Sequence, residues 1–244
     1  MTTIAIVGGG LAGAKAAEAL REQDFDGDVV IFGVENELPY ERPPLSKEFM
    51  QGKQDLSEFT VHDTDWYLDQ RVEFRPGTRI EKVDAAGKTV SLPDGSTVSY
   101  DKLLLATGSS SRVIDLPGAD ASGVHYLRTV DDARAIRETL TEGSRLAIVG
   151  AGWIGMEVAA SARERGVEVA IAEASKLPLL RALGPEVAQV FADLHREHGV
   201  DLRTEVKVAE ITTENGAATG LRLADGATIA AEAVLIAAGA VPNL

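Results

Sequence analysis

Apolar residues fall into short continuous runs along much of this chain. Ile4-Ala5-Ile6-Val7, Val29-Val30-Ile31-Phe32, Leu103-Leu104-Leu105-Ala106, Leu146-Ala147-Ile148-Val149, Val167 to Ala172 and Ala233-Val234-Leu235-Ile236 are the clearest. Runs of that length, rich in branched residues, predict strands of parallel sheets that are apolar on both faces. Leu103 to Gly108 is expected to return to the centre of its sheet. Between the runs, Leu11-Ala12-Gly13-Ala14-Lys15-Ala16-Ala17-Glu18-Ala19-Leu20 and the stretch from Gly152 to about Arg165 have helix composition. A third helix is expected from about Pro185 to His198, and a short one over 63–69 carrying Trp66 and Tyr67 toward the core. Shorter strands at 72–74, 78–83, 88–92 and 97–100 are punctuated by Ala-Gly and Asp94-Gly95 turns. A similar set is expected near 200–203, 206–213, 219–223 and 227–230. The Pro-rich stretch Glu37 to Lys47 reads as a stiff loop, and 109–123 as a crossover between lobes.

This order occurs twice: apolar strand, helix, second strand, β meander, then an Ala-x-Gly return strand. The fold class is therefore α/β, with two Rossmann-like dinucleotide-binding lobes, each with a β meander. The expected division is 1–110 and 111–239, with 240–244 starting back toward the first lobe. Both strand-to-helix junctions carry G-x-G-x-x-G, as Gly8, Gly10 and Gly13 and again as Gly150, Gly152 and Gly155. The first glycine allows a tight turn, the second lets a pyrophosphate approach the backbone, and the third lets helix and strand pack closely. Each second strand ends near an acid. Glu35 lies 22 positions after Gly13 and Glu173 lies 18 after Gly155, where a carboxylate accepts from an adenosine ribose. A carboxylate at Glu173 repels a 2′-phosphate and so favours NADH over NADPH.

Composition removes alternatives. The net charge of −14 argues against nucleic acid, which needs clustered Lys and Arg. No apolar run approaches membrane-spanning length, and the N-terminal run lacks the basic flank of a signal peptide, so a soluble cytoplasmic protein without membrane association is expected. The 244 residues contain no cysteine, which excludes disulfides, thiolate metal sites and redox-active thiols. His195 and His198 stand three apart without an acid at ligand spacing, so no metal site is expected and both are read as a solvated helix face. Ser109-Ser110-Ser111 lacks a nucleophile elbow and reads as a turn.

Several segments together resemble the FAD-dependent pyridine nucleotide-disulfide oxidoreductases. Within them, Pro39-Tyr40-Glu41-Arg42-Pro43-Pro44-Leu45-Ser46-Lys47 resembles the ferredoxin and rubredoxin reductases that feed oxygenases. Leu103 to Gly108, Leu127-Arg128-Thr129, Gly150 to Glu157 and Gly239-Ala240-Val241-Pro242-Asn243 match the same pattern. The resemblance implies FAD in the first lobe, with Gly8, Gly10, Ala12 and Gly13 at the pyrophosphate and Glu35 at the ribose. It also implies Arg42 and Lys47 on the flavin side, the backbone of Ile80 at the adenine, and Ala106, Thr107, Gly108 and Arg128 as the remaining wall. NADH would use Gly150, Gly152, Trp153, Ile154, Gly155 and Glu173, with Gly239 near the nicotinamide.

The resemblance further places Lys47 and Glu157 as an ion pair beside flavin N5. A cation there stabilises the reduced ring, and the carboxylate holds it in place. The plainer alternative makes Glu157 a first-turn helix acid and Lys47 a surface charge. The implied activity is hydride transfer from NADH to FAD, then single-electron transfer to a ferredoxin or rubredoxin-type carrier. Two other readings remain at this stage: an apoptosis-inducing-factor-like NADH-binding flavoprotein, and a nucleotide-binding but catalytically silent fragment. The latter arises because the family's chain continues with a further strand and helix of the FAD lobe and a C-terminal interface domain.

Overall fold

The computed structural model describes residues 1–243. They group into two compact units: Met1–Glu41 with Asp55–Ser109 and the segment from Pro242, and Arg42–Gln54 with Ser110–Val241. Each is a parallel sheet with helices on one face and an antiparallel meander on the other, the layering that alternating strands and helices dictate.

The first unit opens with β1 (Thr3–Val7), α1 (Leu11–Glu22) and β2 (Asp28–Phe32). The chain then contributes Arg42–Gln54, with a 3₁₀ turn at Pro43–Ser46 and α2 (Glu48–Gln51), to the second unit. It resumes with α3 (Thr64–Asp69), β3 (Val72–Arg75), the meander β4 (Lys82–Asp84), β5 (Thr89–Ser91) and β6 (Thr97–Ser99), and β7 (Lys102–Leu105). The sheet order is β3-β2-β1-β7, all parallel, with Ala5 opposite both Val30 and Leu103. One face packs Ile6, Val29 and Ile31 with Ala17 and Tyr67; the other packs Ala5, Val30 and Phe32 against Val90 and Tyr100.

After β8 (Ser109–Ser111), where the chain passes into the second unit, β9 (Val124–His125) precedes α4 (Val130–Thr139). The nucleotide-type half follows as β10 (Arg145–Val149), α5 (Trp153–Glu164), β11 (Glu168–Ala172), α6 (Leu180–Glu197) and β12 (Asp201–Arg203). The meander is β13 (Val208–Glu214), β14 (Ala217–Leu223) and β15 (Thr228–Ala230), then come β16 (Ala233–Ile236) and β17 (Ala240–Pro242). The parallel sheet runs β12-β11-β10-β16-β9. Its Ala147, Ala172, Val234 and Ile236 pack on Ile211, Leu221, Leu223 and Ile229 of the meander.

Five expectations change. Ser109–Ser111, read from the sequence as a turn, forms the short strand β8. β7 lies at the sheet edge among the described residues, not at its centre, and Leu104 and Leu105 are 39% and 59% exposed. Its counterpart β16 is fully buried because β9 pairs with its outer side. The third helix begins at Leu180 and bends at Gly184, whose φ of 74° breaks the turn before Pro185 restarts it. The strand expected over 78–83 forms only from Lys82. Finally, the stretch after 123 holds an unexpected helix, α4. Its signal was present: Thr129 and Asp132 form a capping box, Thr129 Oγ1 accepting from the Asp132 N–H and the Asp132 carboxylate accepting from the Thr129 N–H at 2.8 Å. Among the described residues no helix is long and apolar enough to cross a membrane.

Candidate functional site

Both helices that leave a glycine turn start without assistance. α1 is capped by Gly10 and α5 by Gly152, neither with a side-chain hydrogen bond, and neither helix has an acid in its first turn. Such ends keep N–H donors and the positive end of the helix dipole available to an anion. The three glycines of each turn divide their tasks. Gly8 and Gly150 have φ of 130° and 101°, and a Cβ on them would lie 2.0 Å from the Ala106 carbonyl oxygen and 2.8 Å from that of Ala237. A Cβ on Gly13 or Gly155 would lie 2.1 Å and 2.2 Å from the carbonyl oxygens of Gly8 and Gly150, so helix and turn touch there. Gly10 and Gly152 differ: a Cβ would meet nothing within 4 Å, and their backbone is extended. The fold itself does not demand glycine at those two positions.

Around the first turn, Leu11 and Ala12 are exposed, Ile80 is half-buried against the sheet, and Ala106 abuts Gly8. Thr107 and Gly108 are tied to Asn243, whose amide donates to the Thr107 carbonyl at 2.9 Å and whose N–H donates to that of Gly108 at 3.0 Å. The Glu35 carboxylate accepts from the hydroxyl of buried Tyr40. Around the second turn, Trp153 and Ile154 are 49% and 38% exposed, and Trp153 stands edge-on to Phe191. Glu173 holds its own turn: Oε2 accepts from the Ala151 N–H and Oε1 from the Ser175 N–H, both at 2.7 Å. Those two bonds leave acceptor lone pairs on the carboxylate for hydroxyls. Gly239, with φ of 102°, accepts at its carbonyl from the Arg112 N–H at 2.8 Å.

Arg42, Lys47, Arg128 and Glu157 all belong to the second unit. Lys47 Nζ lies 2.9 Å from Glu157 Oε1, with the side chains 39% and 27% exposed. Glu157 is the fifth residue of α5, beyond the first turn, so the dipole does not explain it. Arg42 donates to the Arg128 carbonyl, and the N–H of Arg128 donates to the Asp132 cap at 2.9 Å. The segment carrying Lys47 is fastened by buried Leu45, Phe49 and Met50, by Arg137 over the Phe49 ring at 4.9 Å, and by Ser161, whose hydroxyl donates to the Ser46 carbonyl at 2.7 Å.

Ser46, Tyr40 and Ser161 join the candidate residues only through the fold. The first two sat inside the quoted Pro-rich segment, but a lone hydroxyl carries no spacing signal. His195 is a correction: it is 8% exposed, with Nδ1 3.0 Å from the Phe191 carbonyl and Nε2 3.1 Å from that of Met156. It packs α6 onto α5, while His198 is exposed.

A family model described as pyridine nucleotide-disulphide oxidoreductase matches residues 2–244. Rhodocoxin reductase of Rhodococcus erythropolis is 38% identical over 242 residues, 99% of this chain and 57% of the relative. The ferredoxin–NAD(+) reductase component of the anthranilate 1,2-dioxygenase system of Burkholderia cepacia is 40% identical over 240 residues, 98% of this chain and 59% of the relative. Among solved structures, the ferredoxin reductase for the CYP199A2 system of Rhodopseudomonas palustris superposes with a TM-score of 0.95 at 33% identity, covering 100% of this chain and 60% of that one. The reductase of a covalent putidaredoxin reductase–putidaredoxin complex gives 0.96 at 32% identity, covering 99% and 59%. This chain thus spans less than two thirds of the length of these relatives.

Proposed function

Because the chain belongs to the pyridine nucleotide-disulphide oxidoreductase family, we propose that it is an NADH-dependent flavoprotein reductase passing electrons to a ferredoxin- or rubredoxin-type carrier of an oxygenase system. The observation that carries this is the pair of helix starts that lack a side-chain cap, each with a glycine whose Cβ would enter open space. Two such cradles fit two dinucleotides. In this reading FAD takes the turn of the first unit, with Gly10 and Ala12 against the pyrophosphate, Glu35 at the ribose, and Ile80 and Ala106 to Gly108 alongside. NADH takes the turn of the second, with Gly152 to Gly155 at the pyrophosphate, Glu173 at the ribose and Gly239 toward the nicotinamide.

Bound flavin supplies the conversion of a two-electron hydride into single electrons. The residues of this chain bind and orient. Glu173 accepts from ribose hydroxyls and repels a 2′-phosphate. Lys47, held by Glu157, presents a fixed cation to the charge that develops on reduction, and Arg42 and Arg128 complete the flavin side. No cysteine is available to take electrons onward as a thiol, so they leave through a separate carrier, as the names of the relatives suggest for those proteins. The work is done in the cytoplasm, where NADH is supplied.

The test is direct. The purified chain, incubated with FAD and desalted, should keep flavin absorption that bleaches on anaerobic addition of NADH and recovers when a ferredoxin is added. A colourless chain that also fails to bind NADH overturns the proposal.

A further inference from the structure

We propose that Ser46 is a positioning residue for the Lys47–Glu157 pair: its hydroxyl fixes the carboxylate that in turn fixes the lysine. The inference rests on the reading above for its consequence, but its geometry stands alone. Ser46 ends the 3₁₀ turn at Pro43–Ser46 and is 2% exposed. Its Oγ lies 2.5 Å from Glu157 Oε2 and 3.4 Å from the Pro43 carbonyl oxygen. A hydroxyl has one proton to donate, and the shorter contact to a charged acceptor takes it.

The two oxygens of Glu157 are therefore gripped by consecutive residues, Oε2 by Ser46 and Oε1 by Lys47 at 2.9 Å. Left alone, an ion pair with side chains 39% and 27% exposed exchanges freely with water and fixes little. A buried donor on the second oxygen changes that, because it holds the carboxylate to one orientation. Ser46 is itself immobilised from the same helix. The hydroxyl of Ser161, one turn beyond Glu157 and 1% exposed, donates to the Ser46 carbonyl at 2.7 Å and accepts from Gln51 Nε2 at 3.2 Å. Helix α5 thus meets Ser46 at two points one turn apart, at the side chain and at the carbonyl, so the ammonium group is placed relative to α5 rather than left to a flexible stem.

The consequence is specific to the step that uses the cation. Ser46→Ala removes one donor without altering the nucleotide turns, so it should slow flavin reduction at saturating NADH by about tenfold and leave KM for NADH unchanged. Ser46→Cys keeps the volume with a much weaker donor and carries the same expectation should Ser46→Ala not fold. Two measurements test this. In the flavin-free chain, the ¹⁵Nζ ammonium resonance of Lys47 should be observable in the parent and broaden in the variant; an unchanged resonance overturns the positioning role whether or not the chain reduces flavin. In the flavin-loaded protein, stopped-flow reduction should fall without a change in KM; an unchanged rate, or a rise in KM alone, overturns it as well. Failure of the parent chain to bind flavin or NADH is a separate result that overturns the functional reading and leaves the resonance to decide on Ser46.

Discussion

Gly152→Ala and Gly155→Ala are the same change three residues apart, and the structure assigns them opposite effects. At Gly155 the new methyl would stand 2.2 Å from the Gly150 carbonyl oxygen, a backbone atom that cannot swing aside. Overpacking of that kind costs about 3 kcal/mol, of which roughly 1 kcal/mol returns through the better helix propensity of alanine. The remaining loss of about 2 kcal/mol lowers Tm by roughly 4–8 °C for a chain of this size. At Gly152 the methyl meets nothing within 4 Å, and φ and ψ of −79° and −173° suit alanine. Alanine caps a helix less well than glycine, but it also lowers the entropy of the unfolded chain, and the two effects offset to within about 0.5 kcal/mol. What Gly152→Ala removes is room for a pyrophosphate. NADH affinity should fall by about 10- to 100-fold, or roughly 1.4–2.8 kcal/mol. Thermal melts followed by circular dichroism give the first quantity, and fluorescence titration with NADH gives the second. Native NADH affinity in Gly152→Ala would refute the cradle, and native stability in Gly155→Ala would refute the close approach.

Three further outcomes follow from the same structure. Lys47→Met should retain flavin but be reduced by NADH at least about tenfold more slowly, as removal of one aligned charge implies; stopped-flow absorbance decides, and an unchanged rate removes Lys47 from the reaction. Glu173→Gln should raise kcat/KM for NADPH relative to NADH, because the repulsion of a 2′-phosphate is gone while an acceptor for the Ala151 N–H remains; an unchanged ratio of the two coenzymes counts against it. Burial, with the charge of Glu18 behind it, pushes the Tyr67 phenol up to about 12. Because the folded value lies above the ordinary value of 10, the stability linked to this group is complete below pH 10 and drains away as pH rises toward 12. Absorbance titration should show one of the four tyrosines ionising last. Tyr67→Phe should abolish that late phase and leave Tm equal or higher, since the buried hydroxyl has no hydrogen-bond partner among the described residues; a Tm lowered by several degrees would show that the hydroxyl is satisfied after all.

Much of this was legible in residue order because the signals are local. Strand, glycine turn and helix occupy adjacent residues, and the spacing to Glu35 and Glu173 is a property of one βαβ unit. What escaped depends on contacts that sequence distance hides. Leu103 to Leu105 has the composition of a central strand, yet among the described residues no strand pairs with its outer side, whereas Val124–His125 pairs with that of β16. His195 looked solvated on its own helix and is covered by α5, 39 residues away in sequence. Ser46 and Ser161 are ordinary serines until folding brings them 2.7 Å apart across 115 residues. The helix at Val130–Thr139 is a different kind of miss, because its capping box could be read directly from Thr129 and Asp132.

The excursion of Arg42–Gln54 also has a temporal cost. Ser46 leaves the ribosome 111 residues before Glu157, the group it binds. At about 5–20 residues per second, that is roughly 6–22 s before Ser46 can meet its partner on α5. The docking of this short piece of chain is therefore completed late in synthesis, and substitutions that weaken α5 should show themselves as lost yield on expression at higher temperature.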